Sequence, residues 1–193
     1  MPLLAIAWLL LAAPPEFKPV DEVDGILIES RPVEGSAFAE LRMTAVSDAS
    51  VEALCDAAFG DGSIDPSETE VKLRRVLEQK PDERIIYDQI SAPVVSDRDY
   101  AVRIVRVREP GGACESRWEA VNDRAPPLQP GWVRIEKLRG SWRFEPDGAS
   151  TRVIYTIFTD PGGSLPAFLA ESSRRNNGLR WVRLVLSRAK GKK

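Results

Sequence analysis

Apolar and polar positions alternate through most of this chain, and helical spacing takes over in only a few places. Ala39, Leu41, Met43 and Ala45 share one side of residues 37–46, with Phe38, Glu40, Arg42 and Thr44 on the other, the period of a half-buried strand. Residues 25–31, 84–91, 100–108, 115–122, 132–138, 141–145 and 151–159 also read as strands, and residues 32–36 as a hairpin-type connection. Between them stand Pro93, Gly111-Gly112, Pro126-Pro127, Gly140 and Asp147-Gly148, all turn chemistry. Short strands in succession predict an antiparallel meander. Tyr100, Val102 and Ile104 alternate with Ala101, Arg103 and Val105, and Trp142 and Phe144 alternate with Ser141, Arg143 and Glu145. Each of these two strands therefore offers an apolar face.

Helical spacing is predicted over 51–60, with Asp48 as its cap, and over 67–79, where Glu68/Lys72 and Glu70/Arg74 stand at i,i+4. Residues 17–24 give at best one helical turn. The longest helix follows Asp160-Pro161-Gly162-Gly163, with Ser164 as N-cap and Pro166 in its first turn. Leu165, Phe168, Leu169, Ser172, Asn176 and Leu179 fall on one face, apolar at its start and polar in the middle. A kink is expected at Asn176-Asn177-Gly178, and Trp181, Val182, Val185 and Leu186 form a broad apolar face beyond it. A single sheet of this length curls because strands twist. One long helix across its concave side would close a space, so the fold class is α+β: a curved antiparallel sheet around a C-terminal helix.

Composition narrows the chemistry. The chain has 193 residues and no histidine, which removes Ser-His-Asp and Cys-His catalysis and nearly all zinc chemistry. No metal site, no cofactor and no nucleic-acid partner is expected, and the chain is expected to be a monomer. Cys55 and Cys114 either form one disulfide in an exported protein or stay as two buried thiols. Residues 174–193 hold eight Lys and Arg and no acid. That basic end either meets an anionic membrane or is a solvated helix face with a basic tail at 190–193. Residues 2–13 form an apolar run with the length of a signal-peptide core, and Ala13 is a fair cleavage position. No Lys or Arg precedes the run, so the start lies upstream or the signal is atypical. Residues 1–15 are set aside from a folded domain at 16–189, expected to be periplasmic or secreted, or cytoplasmic if the run is not a signal.

Four groups of residues carry a family resemblance. They are Asp24-Gly25-Ile26 with Arg31; Ser96-Asp97-Arg98-Asp99-Tyr100; Gly131-Trp132-Val133-Arg134 followed by Gly140-Ser141-Trp142-Arg143-Phe144-Glu145-Pro146; and Thr151-Arg152-Val153-Ile154-Tyr155 followed by Asp160 to Pro166. In this order they resemble a START domain, the lipid-transfer domain related to the steroidogenic acute regulatory protein, over roughly residues 17–188. The resemblance implies a helix-grip fold around a tunnel for one lipid or sterol. It also implies a lid at residues 123–130, here Ala125, Pro126, Pro127 and Leu128, with Leu165 at the helix start beside it. Ile104 stands where some sterol-binding members place an arginine.

The expected lining is Tyr87, Tyr100, Val102, Ile104, Trp118, Trp142, Phe144, Tyr155, Phe168, Leu169, Ser172 and Asn176, with Arg98 and Arg134 as candidate polar anchors. Each aromatic is as readily plain core, and Arg98 between two aspartates reads first as an ion-paired turn. The function expected is binding and carriage of one hydrophobic ligand, with lid opening at a membrane. The alternatives are a cyclase- or aromatase-like enzyme on the same scaffold and an interaction domain with a filled core.

Overall fold

The computed structural model describes residues 15–91, 95–163 and 167–191, those at 167–171 by backbone alone. The apolar run before residue 15, the Ser164 cap, Leu165, Pro166 and Lys192-Lys193 lie outside the described residues. Ten strands form one sheet in the order β1-β2-β3-β10-β9-β7-β6-β5-β4. They are β1 (Lys18–Val23), β2 (Ile26–Arg31), β3 (Glu40–Ser47), β4 (Val71–Lys80), β5 (Glu83–Ile90), β6 (Arg98–Arg108), β7 (Cys114–Ala120), β8 (Val133–Arg134), β9 (Lys137–Asp147) and β10 (Ser150–Asp160). All neighbours on this path are antiparallel, and the two-residue β8 pairs in parallel with the start of β6. Helix α1 (Val51–Phe59) and helix α2 (Ala167–Lys190) cover one face. This is the predicted α+β helix-grip arrangement.

Several elements differ from the sequence expectation. Residues 71–80 are a strand, not a helix: Arg74 faces Asp88 across β5 instead of pairing with Glu70 one turn away. As an edge strand, β4 needs no apolar stripe of its own, so its charges do not mark a helix. The same holds for β1, expected to be one helical turn. Ser50, not Asp48, caps α1, its Oγ accepting the Ala53 N–H at 3.2 Å. Gly140 makes no turn; it lies inside β9, which takes in the end of the strand expected at 132–138 and all of the one expected at 141–145, while β8 is all that forms of the rest. A side chain at Gly140 would strike the Trp118 indole and come within 2.5 Å of the Thr156 carbonyl oxygen. Gly178 makes no kink; α2 runs through it, and a Cβ there would sit 2.6 Å from Met43 Cε. Both glycines allow close approach rather than a bend.

The core lies between the helices and β2, β3, β10, β9 and β7. Leu54 of α1, Val182 and Val185 of α2, and Ile28, Met43, Phe144 and Val153 of the sheet are buried there. Of the two states left open for the cysteines, the structure has the disulfide: Cys55 of α1 is bonded to Cys114 of β7. The basic face of α2 is taken up internally by ion pairs on both flanks. Arg183 binds Asp24 at 2.5 Å and Arg175 binds Asp21 on the β1–β2 side; Arg188 binds Asp65 at 2.6 Å and Arg180 binds Glu70 on the other. No helix among the described residues is long and apolar enough to cross a membrane.

Candidate ligand-binding face

The register of the strands sorts the predicted site residues by face. Ile104 lies opposite Trp118 on β7 and Arg84 on β5; Val102 lies opposite Ala120 and Ile86. These positions share the face that the helices cover, since Trp118 packs against the core there. Tyr100, Val102 and Ile104 therefore form one stripe along the inner face of β6, as expected. Trp118 stacks on Tyr155 with ring centroids 5.9 Å apart, and Tyr155 meets Trp142 at 4.4 Å. Trp142 and Phe144 continue into the filled core, where Phe144 is fully buried. Burial pushes the Tyr155 phenol well up, so it stays neutral.

Among the described residues, Ile86, Val102 and Ile104 belong to neither of the apolar clusters that fill the structure. Ile86 and Val102 are nonetheless 7% and 4% exposed. The apolar surface of β5 and β6 thus stands apart from the core that α1 and α2 make with the other half of the sheet. Phe168 and Leu169, expected to face it, belong to the first turn of α2, and their side chains lie outside the described residues.

One polar group on this face was not foreseen. Arg74 of β4 donates from Nε and Nη2 to both oxygens of Asp88 on β5, at 2.8 and 2.7 Å, and from Nη2 to Glu68 Oε1 at 2.8 Å. The Tyr100 hydroxyl donates to Asp88 Oδ2 at 3.1 Å. Glu68 and Asp88 are 2% and 0% exposed, so two carboxylates share one guanidinium in a buried setting. Burial works against the Arg74 charge, but the bonds to Asp88 outweigh it and raise its pKa. Burial, and then Asp88, push the Tyr100 phenol far above its usual range. The group can orient a polar part of a ligand, but its carboxylates are already committed to Arg74.

Four expectations for the site require correction. Tyr87 lies opposite Ala101, on the other face of the sheet, where its hydroxyl donates to Asp99 at 2.8 Å. Arg134 is on that outer face too, donating to Asp99 at 2.7 and 2.9 Å. It also holds the lid segment, from Nη2 to the Pro126 carbonyl at 2.8 Å. Ser172 and Asn176 are exposed instead of facing inward, although Leu179, further along the same helical face, is buried. Two grooves bounded by described residues, of about 360 and 270 Å³, lie on the outer face, the first around Val33, Leu138 and Phe158.

Arg98 is on the inner face and buried, and its aspartate neighbours do not pair with it. Asp99 is held by Arg134, and Asp97 binds Lys72 at 2.8 Å, so the ion-paired turn expected around Arg98 does not form. The segment expected to form the lid follows the 3-10 turn at Asn122–Arg124. Ala125 and Pro126 are half-buried there, while Pro127 and Leu128 are exposed, Leu128 at 47%. Among the described residues no cluster of side chains could hold a metal ion.

No family model matches the chain. An uncharacterized protein of Pseudomonas aeruginosa is 29% identical over 164 residues, spanning 81% of this chain and 78% of that protein. Among solved structures, the STAR-related lipid transfer protein (fragment 25–204) of Xanthomonas axonopodis superposes with a TM-score of 0.78 at 27% identity, over 90% of this chain and 98% of that one. The chain has the fold of a START domain. Human StAR-related lipid transfer protein 5 has the same START fold, with a TM-score of 0.76 at 18% identity over 91% of this chain and 86% of that one. The strand order and the helix placement described above are therefore those of START structures.

Proposed function

We propose that this START domain binds one hydrophobic ligand, a lipid or sterol-like molecule, between the inner face of β4–β6 and the start of α2, and carries or presents it. The observation that supports this reading best is the apolar stripe of buried Ile86 and Val102 and half-buried Ile104, which among the described residues joins neither core cluster. Burial of an acyl chain is favourable by about 0.8 kcal/mol per CH₂, so such a surface can compete with a bilayer for its lipid. Ala125 to Leu128 serve as the lid, opening at a membrane to exchange the ligand. The setting proposed is periplasmic or secreted, supported by the Cys55–Cys114 disulfide, since such bonds persist in oxidising compartments. The protein acts as a monomer in this reading.

Native mass spectrometry of freshly purified protein tests the carrier reading: a bound lipid, extractable and identifiable, is expected. An empty protein that takes up no added lipid would return the chain to the filled-core interaction reading. Leu128→Asp is expected to slow lipid transfer between vesicles while leaving thermal stability unchanged, and unaltered transfer would remove the lid assignment. The buried group of Arg74, Asp88, Glu68 and Tyr100 gives the enzyme reading its one specific support. A ligand recovered with altered mass after incubation would favour that reading over carriage.

A further inference from the structure

Two arginines of the inner face are buried without a carboxylate partner among the described residues, Arg84 and Arg98, each 4% exposed. Arg84 is compensated in another way. It donates to the Phe59 and Gly60 carbonyls at the end of α1, at 3.3 and 3.1 Å, and to Gln79, and it lies over the Phe59 ring at 4.6 Å. The negative end of a helix and an aromatic face both suit a cation. Arg98 has much less. Its described side-chain hydrogen bond runs from Nη1 to the Ser96 carbonyl two residues back. Burial lowers its pKa against the pull of the nearby Asp97 charge, so the guanidinium is only partly compensated.

The surroundings of Arg98 favour an anion. Lys72 of β4 binds the neighbouring Asp97 at 2.8 Å, which leaves that carboxylate committed to another cation. The backbone leading into α2 passes over the guanidinium: a Cβ at Gly163 would be 3.9 Å from Arg98 Nη2 and 3.6 Å from Val133 Cγ2. Helix α2, 24 residues long, begins at Ala167 just beyond, with the positive end of its dipole on this side. Arg98 also heads the stripe that continues through Tyr100, Val102 and Ile104. Six residues of strand span about 20 Å, longer than the roughly 15 Å of apolar thickness in one bilayer leaflet. The carboxylates of Asp88 and Glu68, also on this face, are turned onto Arg74 and Tyr100.

We infer that Arg98 is the head-group site for an anionic amphiphile, a carboxylate or phosphate whose tail lies along Val102 and Ile104. This inference rests on the carrier reading above and names its ligand class. The test uses the full chain stripped of bound material and follows tryptophan fluorescence on titration with oleate and with oleyl alcohol, which share a chain and differ in head. The wild type is expected to bind oleate at least about tenfold tighter than the alcohol, the size of one charge-assisted contact. Arg98→Gln should abolish that preference by weakening oleate alone, leaving the alcohol within about twofold. Arg98→Lys, which keeps the charge without the fork, should lose less. Inorganic phosphate is expected not to displace oleate; displacement would assign the site to a free anion and overturn the proposal. Equal wild-type binding of the two ligands, or equal loss of both in Arg98→Gln, also overturns it while leaving the carrier reading intact. If neither ligand binds the wild type, the carrier reading falls with it. The wild-type ratio decides the matter even if the variants do not fold.

Discussion

Where β9 and β10 pass beneath the helices, the inner face is filled: Leu54, Phe144 and Val153 are fully buried, and Val182 and Val185 are 1% exposed. Where β6, β5 and β4 continue the same face, Ile86, Val102 and Ile104 join no such cluster among the described residues, and beside them lie the buried carboxylates of Asp88 and Glu68 with half-buried Arg74 and Tyr100. One half is held by apolar volume against apolar volume. The other, among the described residues, is tied by strand pairing and by a shared arginine. A sheet can thus be paired along its whole width while its apolar clusters, among the described residues, gather over one half; in the carrier reading the other half is where a guest would lie.

The largest expected effects break the contrast directly. Phe144→Ala removes a fully buried ring from the packed half and should cost about 3–5 kcal/mol of stability in urea unfolding. Ile104→Ala on the other half should cost less than about 1 kcal/mol in ligand-free protein, because its side chain lies outside the core clusters. It should weaken lipid binding instead. Similar losses of stability at both positions would mean that the two halves are packed alike.

Comparable in size is the removal of the shared guanidinium. Arg74→Met would leave Asp88 and Glu68 buried without a counter-charge, which typically costs about 3–5 kcal/mol. Adding Asp88→Leu and Glu68→Met should recover much of that loss, since apolar replacement of a whole buried ion cluster is often near neutral. Failure of the triple variant to recover would show that the cluster does more than hold β4 to β5.

The same contrast governs what could be read from the sequence. The packed half was legible because burial on one side imposes a period: Leu41, Met43 and Ala45 on β3, and Trp142 and Phe144 on β9, alternate cleanly and face the core. The stripe Tyr100–Val102–Ile104 was legible for the same reason. The polar end was not. Edge strand β4 carries Arg74 among charges at i,i+4 spacing, which imitates an exposed helix, and its true partners lie 6 and 14 residues away in sequence. Residues Arg84 to Asp88 on β5 are buried on both faces, so no period told Tyr87, which faces outward, from Ile86 and Asp88, which face inward. Gly140 and Gly178 looked like breaks because the contacts that require glycine, Trp118 and Met43, are distant in sequence.

The smallest expected effect concerns the ion pair that ties the end of α2 to the loop before β4. Asp65 accepts the Ser67 N–H at 2.9 Å and its hydroxyl at 2.7 Å through one oxygen, and Arg188 of α2 at 2.6 Å through the other. The Ser67 backbone bond first, then its hydroxyl and Arg188, lower the carboxyl pKa to about 2. A carboxylate whose folded pKa lies below its unfolded value of about 3.9 stabilises the fold fully above that value and loses this contribution as pH falls toward 2. Asp65→Asn should therefore lower the melting temperature slightly at pH 7, by the equivalent of about 0.2–1 kcal/mol for a partly exposed pair. The gap between wild type and variant should hold down to about pH 5, narrow between about pH 4 and 2, and close below that. A gap that persists at pH 2 would mean that the Asp65 charge is not what ties α2 to the 61–70 loop. With the charge neutralised, α2 stays anchored through Arg180 and Glu70 on that flank and through Asp21 and Asp24 on the other, so the variant should loosen the end of the helix without releasing it.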